Sequence, residues 1–421
     1  MCLHPVIFSH DSDIYDEEGI ILIIKTMSRI NQIKGSYCKD CKIFCPDVDK
    51  PSLELIQELL DNKHSAGNIV RIMPDVHLGH GIVIGFTGLM GTHVNPSHIG
   101  LDIGCGIDTV LFDRPLDPKD YALFEHRLKK EIPMGADINK KSQFEMKSLL
   151  KFMRQEVNRA FQSARGLVNM VEFLNEDDLV AWMKSVNIQP AIFYKSLGTL
   201  GGGNHFMEYE EGEDRWAFTV HTGSRSLGTK VFNKWDRVAR SNGGYLAGDA
   251  LKGYLTDMVI TQAYAKYNRK VILDKAAAIM HKINGAKVDC VIGTTHNYLD
   301  FQDLVIRKGA IRSYEGELVV IPFNMRDGIA IAEGLSNSDW NFSAPHGSGR
   351  LMSRTAARRN LTMKGFKQEM QGVYSTCITP ETLDESPSAY KSTQEILDAV
   401  VPTCRVLYIL KAKINLKATN L

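Results

Sequence analysis

Apolar positions along this chain fall into two patterns: short runs that end in glycine, and long stretches with helical spacing. Residues 82–90 and 107–112 read as buried strands, and residues 69–73 as another that ends in Pro74-Asp75-Val76-His77. Residues 51–60 space their apolar side chains as an amphipathic helix with a proline in its first turn. Residues 120–185 alternate charged and apolar positions at helical spacing, broken by glycine only at Gly135 and Gly166, and predict a helical excursion. A second helical stretch is expected over 249–284. Between them, residues 198–228 return to strands and glycine. A strand is expected over 288–293, short strands around 303–322, a loop over 335–350, then a basic helix and a final strand near 405–411. Heptads, repeats, low-complexity tracts and Pro/Ser-rich linkers are all absent from the sequence. Polar residues recur at strand ends over the full length, so the fold expected is α+β: one large domain of mixed strands with helical insertions.

Composition narrows the picture. Of 421 residues, 44% are apolar and 24% charged, as in a globular protein with a sizeable core. Lys plus Arg number 50 against 49 Asp plus Glu, so no global charge drives nucleic-acid binding and any such contact needs a local patch. One segment qualifies, with Arg350, Arg354, Arg358, Arg359, Lys364 and Lys367, although its ordinary reading is a solvated face. The eight cysteines are scattered behind no secretory signal, which points to reduced thiols in a cytoplasm. Cys38, Cys41 and Cys45 contain a single CxxC, with no second pair at ribbon spacing, and read as incidental thiols on a strand. The apolar run 20–24 is far too short to span a bilayer, and no membrane contact is expected. Residues 1–26, upstream of Met27, are poorly patterned and read as an extension or a misplaced start, leaving 27–421 as the folded domain.

The candidate chemistry gathers at strand ends. Gly100, Gly104 and Gly106 surround Asp102 and Cys105; each glycine would cost a helix about 1 kcal/mol, so a contorted loop is expected there. Asp75, His77, His205, His221, His296 and His346 share that kind of context. Asp, Cys and His together suit a divalent transition metal, and a thiolate can bridge two ions; ligand softness alone favours zinc or iron over manganese. His346 differs from the rest. It lies in Ser343-Ala344-Pro345-His346-Gly347-Ser348-Gly349-Arg350, where glycines let backbone N–H groups approach a phosphate and Arg350 adds a fork for its oxygens. A histidine in an anion-binding turn is a reasonable nucleophile toward phosphorus.

These segments, taken in order, resemble the signatures of the RtcB family of RNA-splicing ligases. The resemblance rests on Met73 with Pro74-Asp75-Val76-His77, on Asp102-Ile103-Gly104-Cys105-Gly106 and on Gly203-Asn204-His205-Phe206. It continues through His221-Thr222-Gly223-Ser224-Arg225, His296-Asn297-Tyr298, Arg307-Lys308-Gly309, the segment 343–350, residues 383–387 and Ala389-Tyr390-Lys391. It implies a single α+β domain of the family's own type around a central metal site. The implied activity joins an RNA 3′-phosphate or 2′,3′-cyclic phosphate to a 5′-hydroxyl, with GTP and Mn²⁺, in tRNA splicing or RNA repair. Under the resemblance Cys105 bridges two Mn²⁺ ions, completed by Asp102 and His205 at one and by His221 and His296 at the other. His346 attacks the α-phosphorus of GTP as a neutral imidazole, and GMP then passes to the RNA end. Asn204, Arg225, Ser343, Gly347, Gly349 and Arg350 are implied on the phosphates. Glu208 and Lys417 are implied at the guanine, flanked by Phe206 and Tyr390. An archease-type activator is a candidate partner. The chain departs from the family at Thr295, where a second histidine is common, and in the loop 322–328, commonly a Gly-Ser version. Two other classes compete: a metal-dependent phosphoesterase that opens a cyclic phosphate without joining ends, which leaves His346 and Glu208 no task, and a non-catalytic RNA-binding protein using residues 350–367.

Overall fold

The computed structural model describes residues 31–420, apart from 165, 170, 172 and 174; the extension read over residues 1–26 lies outside the described residues. Its first strands are β1 (Asn31–Ile33), β2 (Asp40–Ile43), β3 (Ile69–His77), β4 (Ile84–Leu89) and β5 (Gly106–Phe112). After the helical excursion come β6 (Phe206–Glu211) and β7 (Trp216–Thr222), and after the long helix Gly248–Asn284 come β8 (Val288–Thr295), β9 (Asn297–Leu299) and β10 (Val305–Lys308). The rest are β11 (Ala310–Arg312), β12 (Leu318–Pro322), β13 (Ile329–Gly334), β14 (Ser343–Pro345) and β15 (Cys404–Leu416). They form a six-stranded sheet in the order β1-β2-β3-β4-β10-β9, a seven-stranded sheet β12-β13-β15-β6-β7-β5-β8, and the pair β11-β14. Pairing is antiparallel throughout except between β2 and β3.

β5 is buried at all seven positions because both of its faces are covered. Val110 and Phe112 pack toward the long helix, with Ile272, Ala276 and Ile279, while Ile107 and Leu111 meet Ile292, Val320 and Ile331 on the other side. A strand covered twice favours apolar side chains without alternation, which Val110, Leu111 and Phe112 supply, while the buried Asp108 and Thr109 are paired with Arg269 and Thr219. The result is α+β in one domain, as its pattern predicts, with the ends of β5, β6, β7 and β8 converging on the candidate ligands.

Some boundaries differ from expectation for identifiable reasons. The excursion over 120–185 is three helices, Tyr121–Glu131, Met146–Ser163 and Glu176–Ser185, because Pro133 and Gly135 stop the first and Gly166 follows the second. The final strand runs on to Leu416; a bulge between Ala412 and Ile414 shifts its alternation, which hid its end in the sequence. The loop expected over 335–350 contains β14, which pairs with β11. The basic helix is two short ones, Arg354–Asn360 and Met363–Glu369. Its solvated-face reading holds for Arg359, Lys364 and Lys367, which are exposed, but Arg350 and Arg354 turn inward onto Asp384 and Glu385, and Arg358, though exposed, also pairs with Asp384. Cys38 and Cys41 are buried core thiols, with Cys41 pushed up to about 12 by burial and the neighbouring Cys38. No helix among the described residues is long and apolar enough to cross a membrane.

Candidate active site

Gly100 and Gly104 take the left-handed backbone (φ +93° and +77°) that the loop demands, while Gly106 already belongs to β5. This loop delivers Asp102 and Cys105 to the start of the strand. Phe206 and His221 sit opposite one another on β6 and β7, so His205 and His221 arrive from adjacent strands. His296 follows β8, and its N–H donates to the Cys105 carbonyl at 2.9 Å. Five ligand-type side chains therefore meet. Cys105 Sγ lies 3.6 Å from His205 Nε2 and 3.3 Å from His221 Nε2; His205 Nε2 is 3.1 Å from Asp102 Oδ2, and His221 Nε2 is 3.2 Å from His296 Nε2. Gly223 makes room for the carboxylate, since a Cβ there would sit 2.1 Å from Asp102 Oδ1.

The protonation pattern suits a cation. His205 Nδ1 lies 2.9 Å from the Leu200 carbonyl, which can only accept, so Nδ1 carries the proton and Nε2 offers its lone pair to the cluster. Burial, together with neighbouring imidazoles, pushes His221 and His296 well below the ordinary histidine value. Burial opposes ionisation of Asp102, yet the adjoining His205 ring and the Ser224 N–H, which donates to Oδ1 at 3.0 Å, hold its carboxyl below the usual range. Burial and Asp102 push the Cys105 thiol up. Electron-pair donors aimed at one another across 3.1–3.6 Å repel unless a cation lies among them, so the donor set fits a metal. Cys105, His205 and His221 alone keep their ligand atoms within 4.8 Å of one another.

Beside this cluster opens a cleft of about 660 Å³. His221 and His346 line one end, and Glu208, Asn415 and Lys417 the other; Asn204, Phe206, Gly347, Gly349, Arg350 and Tyr390 lie along its walls. The His346 and His296 rings are 4.9 Å apart between centroids. Behind His346, the fully buried Asp75 accepts from its backbone N–H at 3.1 Å and from Nδ1 at 2.6 Å. That contact places the ring proton on Nδ1 and leaves Nε2 free. At the far end burial pushes the Glu208 carboxyl up to about 8, against the Asn415 amide and the Lys417 charge. Lys417 itself pairs with Glu385 at 2.8 Å, and its Nζ stands 5.6 Å over the Phe206 ring. Arg350 donates to the Tyr390 hydroxyl at 3.0 Å and to the Asp384 carbonyl at 2.6 Å.

Two expected residues stand off the cleft wall. Ser343 is fully buried on β14, its hydroxyl donating to the Asn341 carbonyl at 2.7 Å and accepting from Arg307 Nε at 2.9 Å. Arg225 lies among the loops beneath, donating to Thr199 Oγ1 at 3.1 Å and to the Gly135 carbonyl at 2.8 Å. Sequence reading missed Asn268 and Arg269 on the long helix. Asn268 bonds the loop at Gly198 and Thr199 and the Gly223 carbonyl; Arg269 pairs with Asp108 at 2.8 Å and donates to the Gly104 and Thr222 carbonyls. Their signal was present: both occupy the buried stripe of Tyr264, Ala265, Ile272 and Leu273, where polar side chains need partners.

Comparison with known proteins identifies the family. A family model described as tRNA-splicing ligase RtcB matches residues 62–418. The RNA-splicing ligase RtcB of Escherichia coli K12 is 26% identical over 388 residues, covering 83% of this chain and 90% of that protein. The tRNA-splicing ligase RtcB of Archaeoglobus fulgidus is 28% identical over 408 residues, covering 78% and 83%. The RNA-splicing ligase RtcB of Mycobacterium tuberculosis is 24% identical over 398 residues, covering 78% and 91%. With the match extending over most of its length, the chain belongs to the RtcB family.

Proposed function

We propose that this protein is a GTP-dependent RNA ligase that joins a 3′-phosphate or 2′,3′-cyclic phosphate end to a 5′-hydroxyl end, in tRNA splicing or RNA repair. The observation that carries the reading is His346: its Nδ1 is tied to Asp75, and its ring stands beside His296 in the wall of a cleft of about 660 Å³. Residues 27–421 are proposed as the ligase domain.

In this reading Cys105, with Asp102 and His205 on one side and His221 and His296 on the other, would hold two Mn²⁺ ions. Bound there, the ions would neutralise charge on a triphosphate. The chain's own residues do the rest. Asn204, Arg225, Arg350, Ser343 and the Gly347 and Gly349 backbone hold phosphates, directly or by fixing the loop that does. Glu208 and Lys417 read the base between Phe206 and Tyr390. His346 Nε2 forms a bond to the α-phosphorus of GTP as pyrophosphate leaves, and Asp75 stabilises the positive charge that develops on the ring. GMP then passes to the RNA 3′-phosphate, and the 5′-hydroxyl displaces it. Cytoplasmic residence fits the free, buried cysteines among the described residues. An archease-type partner would act on this same cycle.

The test is one labelling gel followed by a joining assay. Incubation with α-labelled GTP and Mn²⁺ should leave an acid-labile label on the wild type and none on His346→Ala. Release of phosphate from a cyclic end with no label and no joined product would instead identify a phosphoesterase.

A further inference from the structure

One histidine on the cleft wall has no task in the cycle above. His77 closes β3 two residues beyond Asp75 and lines the cleft with Leu78, facing the 346–350 loop. Its Nδ1 lies 3.0 Å from the Asp75 carbonyl, an acceptor only, so Nδ1 donates and Nε2 keeps its lone pair. The ring is thus fixed in one tautomer, with its basic nitrogen free.

The other candidate bases on this wall are engaged. Glu385 is bound by Lys417, Arg350 and Arg354 and held down at about 2 by them despite its burial, which makes it a weak base. Asp49 caps the helix Lys50–Leu60 through the Ser52 N–H and hydroxyl. His221 belongs to the metal cluster, His346 is the nucleophile, and Glu208 lies at the opposite end with Asn415 and Lys417.

We infer that His77 is the general base of the joining step, accepting the proton of the RNA 5′-hydroxyl at Nε2 as that oxygen attacks the activated 3′-phosphate. The inference rests on the ligase reading. In the step the O–H bond breaks toward Nε2, the new O–P bond forms, and the P–O bond to GMP breaks with GMP leaving; the imidazolium then returns its proton to water. Burial keeps the ring in its basic form at neutral pH, with the charges of His346 and Arg350 adding to that effect and Asp75 opposing it.

Two variants and one wild-type measurement test this. His77→Asn retains an N–H able to reach the Asp75 carbonyl but has no base; His77→Gln lacks the base as well. Each should take up label from α-labelled GTP within about threefold of the wild type, transfer GMP to RNA, and accumulate the activated end. Each should lose joining by a factor of about 100 or more, the usual worth of a positioned base. Joining at the wild-type rate in His77→Asn overturns the inference, since only the tether would then matter. If neither variant folds, the wild type decides: joining from a preformed GMP-activated RNA end should fall with acid at a pH below the ordinary histidine value, and a profile that stays flat over the whole acid range in which the protein remains folded also overturns it. Absence of label on the wild type would instead sink the ligase reading itself.

Discussion

Replacing Asp75 by Asn tests the nucleophile's anchoring most directly. The carboxylate is fully buried and accepts two bonds from one residue, at 3.1 Å from His346 N and 2.6 Å from Nδ1; its other oxygen, Oδ1, has no partner. A hydrogen bond to a charged acceptor contributes about 1.5–3 kcal/mol. Since Asp75 develops its full interaction as the ring becomes positive, that loss falls on the transition state. At about 1.4 kcal/mol per decade it predicts a 10- to 150-fold slower adduct formation. An Asn that turns its NH₂ toward Nδ1 moves the ring proton to Nε2 and slows the step further. Asp75 stands behind His346 and does not line the cleft, so GTP affinity should stay within about twofold. The assay is single-turnover label uptake from α-labelled GTP at saturating Mn²⁺, with affinity measured by titration. A rate within threefold of the wild type would refute the anchoring argument, and a loss carried wholly by affinity would relocate Asp75 to nucleotide binding.

Four further outcomes are expected. Cys105→Ala should lower bound Mn²⁺ and remove most of the rise in Tm that the ion gives the wild type, read by metal analysis and calorimetry. Arg269→Met should cost about 3–5 kcal/mol in urea unfolding, because Asp108 would remain buried without its partner. Lys391→Met should slow adduct formation several-fold with GTP affinity kept, because Lys391 Nζ holds the Pro74 carbonyl at 2.5 Å and its N–H the Gly349 carbonyl at 3.2 Å, on either side of the Asp75–His346 contact. Glu208, raised from 4.5 to about 8 by burial, contributes stability that is fully present below pH 4.5 and lost as pH rises through about 8. Glu208→Gln should therefore gain on the wild type between pH 5 and pH 8 in nucleotide-free denaturant melts and level off above that, and parallel curves would contradict that account.

Much of the site could be read from the chain because its chemistry is local in sequence. Asp102 and Cys105 share one loop, and His346 and Arg350 share another, so residue type and glycine spacing betray them. The strand pattern foretold the α+β class for a related reason: β5 is covered on both faces and so carries the unbroken apolar run Val110-Leu111-Phe112. What stayed hidden depends on distant partners. The role of Asp75 exists only because β3 and the 346 loop, 271 residues apart, meet. Arg354 looked like surface charge, and its pairing with Asp384 and Glu385 is visible only in the fold. The partners of Ser343 were hidden as well, since its hydroxyl is shared between the Asn341 carbonyl and Arg307 of a distant strand. The end of β15 escaped because its bulge breaks the period of two on which strand recognition relies.

The adjacency of Asn268 and Arg269 sets a rule for how this protein can change. One grips the chain at Gly198 and Gly223, the other at Gly104 and Thr222, so a single helix acts as a ruler against which three separate segments are indexed. Inserting or deleting one residue in that helix just before Asn268 would swing both side chains by about 100° and misalign every segment at once. Length variation can be absorbed in the connections of the excursion between residues 120 and 185, but the middle of the long helix can drift only by substitution.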